Sequence, residues 1–544
     1  MNIYKKDMEI PERPGIIKET IPQQWLRKGE RIMKKILGMV LSLALTAGML
    51  AGCGGETGAN KPAPERYAAS DYSGVRIWLS DGDITVDELQ PEDGHASVTV
   101  GGDIVYYEAG HDFTYGEGET GDEHTPEEAA AHTLVTITKP GTYILSGKLS
   151  KGQIAIDLGE DAKKDPKAVV TLVLDNVDIT CTVAPAVIFY NVYECGSKDE
   201  EDASSVVDTS AAGANVVIAD GSVNTISGSY VARIYKPESV ELSEDGREVV
   251  DAKKLHKYDA AFYSKMSMNI FGNDGVLNIR AENEGLDAEL HLTLNGGTVN
   301  IESGNDGINT NEDGISVTTI NGGRLNILVN GATGEGDGID SNGWLVINGG
   351  TVVAQACAFS GDAGIDSDMG IHLNGGTVIA TGNMLDRIGD SEQNFAVFQF
   401  AQSQKGGTYT LKNSEDAVIA QQAIENDFTY LIISAEGLTA GEYTLWKEET
   451  QLQVAAGEAM GGGMPMGQPP EGMERPEGME GQQPPEKPEG QRPEIPEGQR
   501  PEGQNPGGRD PGSMGRPGWM GQPDMTAEAV FQIQDGGNYF WVMG

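Results

Sequence analysis

Four phrases decide the fold: LTLNGGTVNI at 292–301, TTINGGRLNI at 318–327, LVINGGTVVA at 345–354 and IHLNGGTVIA at 371–380. The asparagines that open each NGG are Asn295, Asn321, Asn348 and Asn374, at spacings of 26, 27 and 26 residues. A second unit runs between them as EGLD, DGIN, DGID and AGID, with glycines at Gly285, Gly307, Gly338 and Gly364. Self-similarity at a near-fixed period of this size marks a repeat architecture. Thr298-Val299-Asn300-Ile301 alternates polar and apolar residues, which is strand periodicity. No repeat has room for a helix beside its strands. Asn-Gly, Asp-Gly and Gly-Gly end each strand because they tolerate positive φ. Each repeat therefore reads as one coil of an all-β parallel solenoid. An array of hairpins with NG turns also satisfies the local pattern. It gives no reason for the constant period.

Working outward, residues 33–53 read MKKILGMVLSLALTAGMLAGC, a basic start, an apolar core and a small-residue end. The apolar run is too short for a comfortable membrane span and reads as a signal segment. Its end, Leu50-Ala51-Gly52-Cys53, resembles the bacterial lipoprotein lipobox, which implies cleavage at Cys53 and lipidation of its thiol. Met33 is then the better start, and residues 1–32 are no part of the mature protein. Residues 53–71 form a tether and 72–132 an N-terminal cap region. The coils occupy 133–385, with two polar insertions at 197–212 and 237–257. Residues 386–456 lose the period and read as a small C-terminal β cap, which shields an open sheet edge. Residues 457–523, rich in Pro, Gly, Met, Glu and Gln, cannot bury a core and read as a disordered loop. Residues 524–544 are expected to return as strands that pair with the cap.

The chain carries 83 acidic and 38 basic residues, a formal net charge of −45. That excludes nucleic acid as a partner, because phosphates need a basic face. It also excludes charge-driven adhesion to anionic lipid, so the membrane is met through the lipid anchor alone. Three cysteines besides Cys53 remain, Cys181, Cys195 and Cys357, with no metal-binding spacing. They read as small buried residues, with a Cys181–Cys195 disulfide open in an exported protein.

Stacked coils place equivalent residues about 4.8 Å apart, so the recurring corner builds rows. One row holds Glu284, Asp306 and Asp337, broken by Ala363 with Asp362 beside it. A second holds Asp287, Asn309, Asp340 and Asp366. A third adds Asn311, Asn342 and Asp368. Two carboxylates at that spacing repel by about 3–4 kcal/mol at an effective dielectric of 20. Water, shared protons or a cation relieve this. Donors that are all oxygen suit Ca²⁺ and not zinc or copper. The alternative is that each Asp caps its own turn and the row stays solvated.

GTYILSGKLSKGQIAID, VTLVLDNVDIT, GDGIDSNG and the recurring NGGTV together resemble the clostridial carbohydrate-binding domain proteins, over about 133–446. That family is similar in fold to pectate lyases. The resemblance implies a right-handed parallel β-helix, calcium, and an acidic or cellulosic plant polysaccharide as partner. It makes Asp337, Asp340, Asp366 and their row neighbours metal candidates. Ala363 and Asn309 depart from the acidic pattern. A β-elimination lyase also needs a Lys or Arg base near the sugar. Only Arg280 and Arg324 lie between Lys265 and Arg387. A hydrolase needs one defined carboxylate pair, and no GxSxG or HExxH motif occurs. Sugar binding asks less. Trp344 is a candidate stacking residue, with packing into the coil as the alternative. Arg324, a corner residue where other coils carry Thr, is grouped with it as a candidate contact. The expectation is a monomeric, lipid-anchored protein on the outer face of the bacterial cell membrane that binds polysaccharide. A polysaccharide lyase and a surface scaffold are the alternatives.

Overall fold

The computed structural model describes residues 66–87, 96–457 and 527–543. The expectations for residues 1–32, the signal segment, Cys53, most of the tether and, apart from Gly457, the 457–523 loop lie outside them. The described residues are all-β, built as large mixed sheets with no closed barrel.

Three ladders of parallel strands share the repeats. The first precedes the NGG corner: Met268–Gly272, His291–Leu294, Val317–Ile320, Trp344–Ile347 and Gly370–Leu373, each hydrogen-bonded to the next. The second follows it: Val276–Ala281, Thr298–Ser303, Arg324–Val329, Thr351–Gln355 and Thr377–Gly382. The third joins Thr133–Ile137, Gly152–Asp157, Val187–Asn191, Ala260–Ser264, Glu284–Ala288 and Ile308–Thr310. It continues as single bridges from Ile308 to Ile339 to Ile365. Hairpin pairing within a repeat is not what joins these strands. Each one pairs with the equivalent strand of the neighbouring repeat.

The alternation decides which side chains enter the core. Leu292, Leu294, Val299 and Ile301 are buried, and so are their equivalents Leu325, Ile327, Leu345 and Ile347. They join one apolar cluster that runs the length of the stack. The NGG corner needs both glycines. The second adopts φ of 82°, 81°, 82° and 78° at Gly297, Gly323, Gly350 and Gly376, where a side chain is strained. A Cβ on the first would stand 2.4 Å from a carbonyl of the coil below at Gly375.

Parallel ladders expose edges at both ends, and antiparallel strands close them here. Thr85–Asp87 pairs against Val75–Leu79, and Val98–Val100 against Thr133–Ile137. At the other end Phe428–Ala435 runs antiparallel on Thr377–Gly382. Behind it a second apolar cluster packs Phe398, Phe428, Tyr409 and Leu445. The last strands pair here: Phe531–Ile533 with Gly441–Lys447, and Gly537–Met543 with both Phe395–Gln404 and Gln453–Ala456.

The insertions differ from plain loops. Around 237–257, Val231–Tyr235 just before it pairs antiparallel with Lys254–Tyr258, and within it Glu241–Leu242 pairs with Val249–Asp251 to make a hairpin-like arm. Residues 197–212 lie against the first ladder, where Thr209 Oγ1 donates to Asn269 Oδ1 at 2.7 Å. Cys181, Cys195 and Cys357 are all free thiols; Cys181 and Cys357 are buried and Cys195 is half-buried.

Candidate functional site: a carboxylate row and a polar face

The third ladder sets the acids in register. Asp287 pairs with Asn309, and the Ile308–Ile339–Ile365 bridges carry the same column through Asp340 to Asp366. Three residues before that column stand Glu284, Asp306, Asp337 and Ala363, and three residues after the isoleucines stand Asn311, Asn342 and Asp368. Glu284, Asp287 and Asp306 are buried, Asp337, Asp340, Asp362 and Asp366 are half-buried, and Asp368 is exposed.

Burial and crowding push these acids toward the neutral form. Desolvation, then Asp287 and Asp259, raise Glu284 well above the carboxylate range. Asp287 and Asp306 rise the same way, first through burial. Desolvation and then Asp306 lift Asp337 to about 9. Burial with neighbouring Asp368 lifts Asp340 to about 6, and burial with Asp386 and Asp340 lifts Asp366 to about 7.

Part of the capping alternative holds, in altered form. The carboxylates of Asp306 and Asp337 serve the next coil, while those of Asp340 and Asp366 accept from the backbone of Ser341 and Ser367 in their own turns. Asp337 N–H donates to Asp306 Oδ1 at 2.7 Å, and Ala363 N–H to Asp337 Oδ1 at 2.5 Å. The amides of the row also bind acids: Asn311 Nδ2 reaches both oxygens of Asp287 at 2.9 and 3.0 Å, and Asn309 Nδ2 reaches Glu284 Oε1 at 3.2 Å. Two buried oxygens keep no donor, Glu284 Oε2 and Asn309 Oδ1. Buried acceptors left without a donor are costly.

Sequence reading missed the neighbours that complete this row. Asp259 brings an oxygen to within 4.8 Å of oxygens on Glu284 and Asp287. Lys257 Nζ stands 3.1 Å from Asp259 Oδ2. Asp259 and then the more distant acids push Lys257 up to about 12. Lys257 ends the 237–257 insertion and Asp259 follows two residues later, leading into an AAFYS strand that lacks the DG motif. Asp386, beyond the last repeat, faces Asp366 and accepts Ser367 N–H at 3.1 Å. Basic residues close to the acids therefore gather at the Asp259 end, with Arg387 acting on Asp386.

Trp344 begins its strand half-buried, on the same outward side as Val346 and Asn348, while Leu345 and Ile347 enter the core. Arg324 is exposed at the start of the next strand, in register with Thr298 and Thr351. Arg324 therefore sits on the outer surface directly after an NGG corner, whereas Trp344, two residues after Asn342, stands at the other end of its strand, next to the third polar column. Asparagines form ladders on this surface. Asn321 Nδ2 donates to Asn295 Oδ1, Asn348 to Asn321, and Asn374 to Asn348, at 2.9, 3.0 and 3.0 Å. The NGG spacing was legible as a repeat. That its asparagine side chains bond one another follows only from the stacked register.

Comparison with known proteins fits this arrangement. A carbohydrate-binding domain-containing protein of Acetivibrio thermocellus is 27% identical over 170 residues, 31% of this chain and 45% of that protein. The chain thus spans less than half the length of that relative. A solved polysaccharide lyase-like protein from C. thermocellum, in its gadolinium derivative, aligns with 59% of this chain and 96% of its own at 18% identity and a TM-score of 0.33, a likeness that carries no argument. The family model for carbohydrate-binding domain-containing proteins matches residues 131–437, which takes in all three parallel ladders and the acid row. This chain belongs to the family of carbohydrate-binding domain-containing proteins.

Proposed function

We propose that the chain is a surface lipoprotein that binds polysaccharide along a right-handed parallel β-helix carrying calcium on one corner. The observation that carries this reading is the register. One polar or acidic residue per coil recurs along the stack, which offers a linear polymer the same contact at each step. Family membership supports a carbohydrate as the polymer. The donor set supports calcium: oxygens only, acids disfavoured as anions by burial and one another, and unpartnered buried oxygens on Glu284 and Asn309. Glu284, Asp287, Asp306, Asn309 and Asp337 would hold an ion toward one end of the row. Asp340, Asn342, Asp362, Asp366 and Asp368 would serve toward the other. Calcium held by these acids would supply the positive charge that keeps them ionised and would give uronate carboxylates a cation to meet. Cys53 would carry the lipid, and labelling with palmitate that leaves Cys53 unmodified removes that part.

Lyase chemistry is the weaker reading. The lysine beside the acids is Lys257, and Asp259 holds it as an ammonium with its pKa raised, opposite to what a general base needs. The test is to incubate the protein with polygalacturonate and with cellulose, with and without calcium, following retention and the ultraviolet absorbance of unsaturated product. Retention without absorbance is expected. Rising absorbance makes the chain a lyase. Neither signal makes it a scaffold.

A further inference from the structure

A groove of about 520 Å³ lies on the outer side of the first ladder, away from the acid corner. Its floor is two columns of that ladder. One runs through Asn269, Thr293 and Thr319 to Val346, which the strand register places side by side. The other is the asparagine ladder from Asn295 to Asn374 at the NGG corner. Residues 205–210 of the first insertion form a boundary. Thr209 fastens that segment, donating to Asn269 Oδ1 at 2.7 Å and lying 2.8 Å from Thr293 Oγ1, while Asn269 Nδ2 donates to Thr209 O at 2.8 Å. The boundary is thus hydrogen-bonded to the floor.

The chemistry of the lining is selective. Asp208 is the charged residue among the groups that line it; the rest are amides, hydroxyls and apolar side chains. Each ladder amide uses one N–H and one oxygen lone pair on its neighbours. A carboxamide has two N–H groups and two lone pairs, so a donor and an acceptor remain on each internal asparagine. Asn321 and Asn348 are exposed to solvent. Donor and acceptor then recur about every 4.8 Å along the stack. A sugar hydroxyl donates and accepts at once, which matches such a row. A uronate carboxylate accepts only, finds no cation here, and meets Asp208 and the charge of −45. Trp344 stands two residues before Val346 on the same outward side, at the margin of this face.

We propose that this groove is a binding subsite for an uncharged glycan chain laid along the stack, recognised by the asparagine ladder and Thr319, and separate from the calcium row. The proposal rests on the polysaccharide-binding reading and names its substrate class and location.

The test uses the full chain in excess EDTA. Binding is measured by calorimetry with cellohexaose, xylohexaose, mannohexaose and maltohexaose. Polygalacturonate in calcium is the parallel arm. At least one uncharged hexamer is expected to bind in EDTA. Thr319→Lys, which places a long charged chain in the groove, is expected to weaken it at least tenfold, and Asn321→Ala with Asn348→Ala to weaken it severalfold. Both variants are expected to keep the wild-type melting curve and polygalacturonate retention. Absence of any uncharged-hexamer binding by folded protein overturns the proposal. So does equal binding by Thr319→Lys. If polygalacturonate is still retained in calcium, the groove alone is refuted and polysaccharide binding stands. If neither class binds, both fall.

Discussion

Replacing Asp366 by Asn should make the calcium-free protein more stable, not less. In the folded chain burial, Asp386 and Asp340 raise the Asp366 carboxyl from 3.8 to about 7. Each unit is worth 1.36 kcal/mol, so holding it ionised at pH 8 costs up to about 4 kcal/mol. Its carboxylate is half-buried, and solvent screening reduces this to about 2 kcal/mol. Asparagine is nearly isosteric and carries no charge to desolvate. The sequence already places Asn309 at the equivalent position two coils earlier. The amide oxygen still accepts from the backbone beside it. Thermal or urea unfolding in EDTA at pH 8 should therefore show a gain of about 2 kcal/mol. In millimolar calcium the sign should reverse, because the variant loses a ligand and with it part of the linkage stabilisation. Asp366→Asn that is equally destabilising in EDTA and in calcium would refute the reasoning, since Asp366 would then be an ordinary structural cap.

Three further outcomes follow from the same structure. The native state of the stripped protein holds protons on Asp340, Asp366 and Asp337 up to about 6, 7 and 9, against 3.8 when unfolded. Its stability should therefore be greatest near pH 4 and fall as pH rises to about 9. The calcium increment should grow over the same range because binding releases those protons; unfolding series at pH 5, 7 and 9, with and without EDTA, check both signs. Gly350→Ala meets a φ of 82° and a carbonyl 2.7 Å from the new Cβ, and should cost about 1–3 kcal/mol by denaturant unfolding. Deleting 524–544 removes two strands that pair with the C-terminal sheets and buried Phe531 and Phe540, and should lower the melting temperature of the chain.

The repeats made much of the fold legible. A period of 26 residues with Asn-Gly-Gly at each corner says that equivalent strands lie side by side, and the core follows from alternation at Leu292, Leu294, Val299 and Ile301. The acid columns were legible from the recurring motif and not from the period, since its glycines Gly285, Gly307, Gly338 and Gly364 are spaced 22, 31 and 26 residues apart. What was not legible came from residues outside the period. Lys257 arrives from the end of an insertion, Asp259 from just after it, and Asp386 from beyond the last repeat. No spacing rule places them. The groove was equally hidden: it is made by the 205–210 segment, which carries no motif, and by side-chain amides whose bonding appears only when coils stack.

The function proposed for this chain requires that the acid row hold a cation. Crystals of the calcium-loaded protein, measured for anomalous scattering, test this most directly. Peaks are predicted between coils beside the oxygens of Glu284, Asp287 and Asn309, and beside Asp340 and Asp366. A map without peaks along these columns, in crystals grown with calcium at saturating concentration, would contradict it.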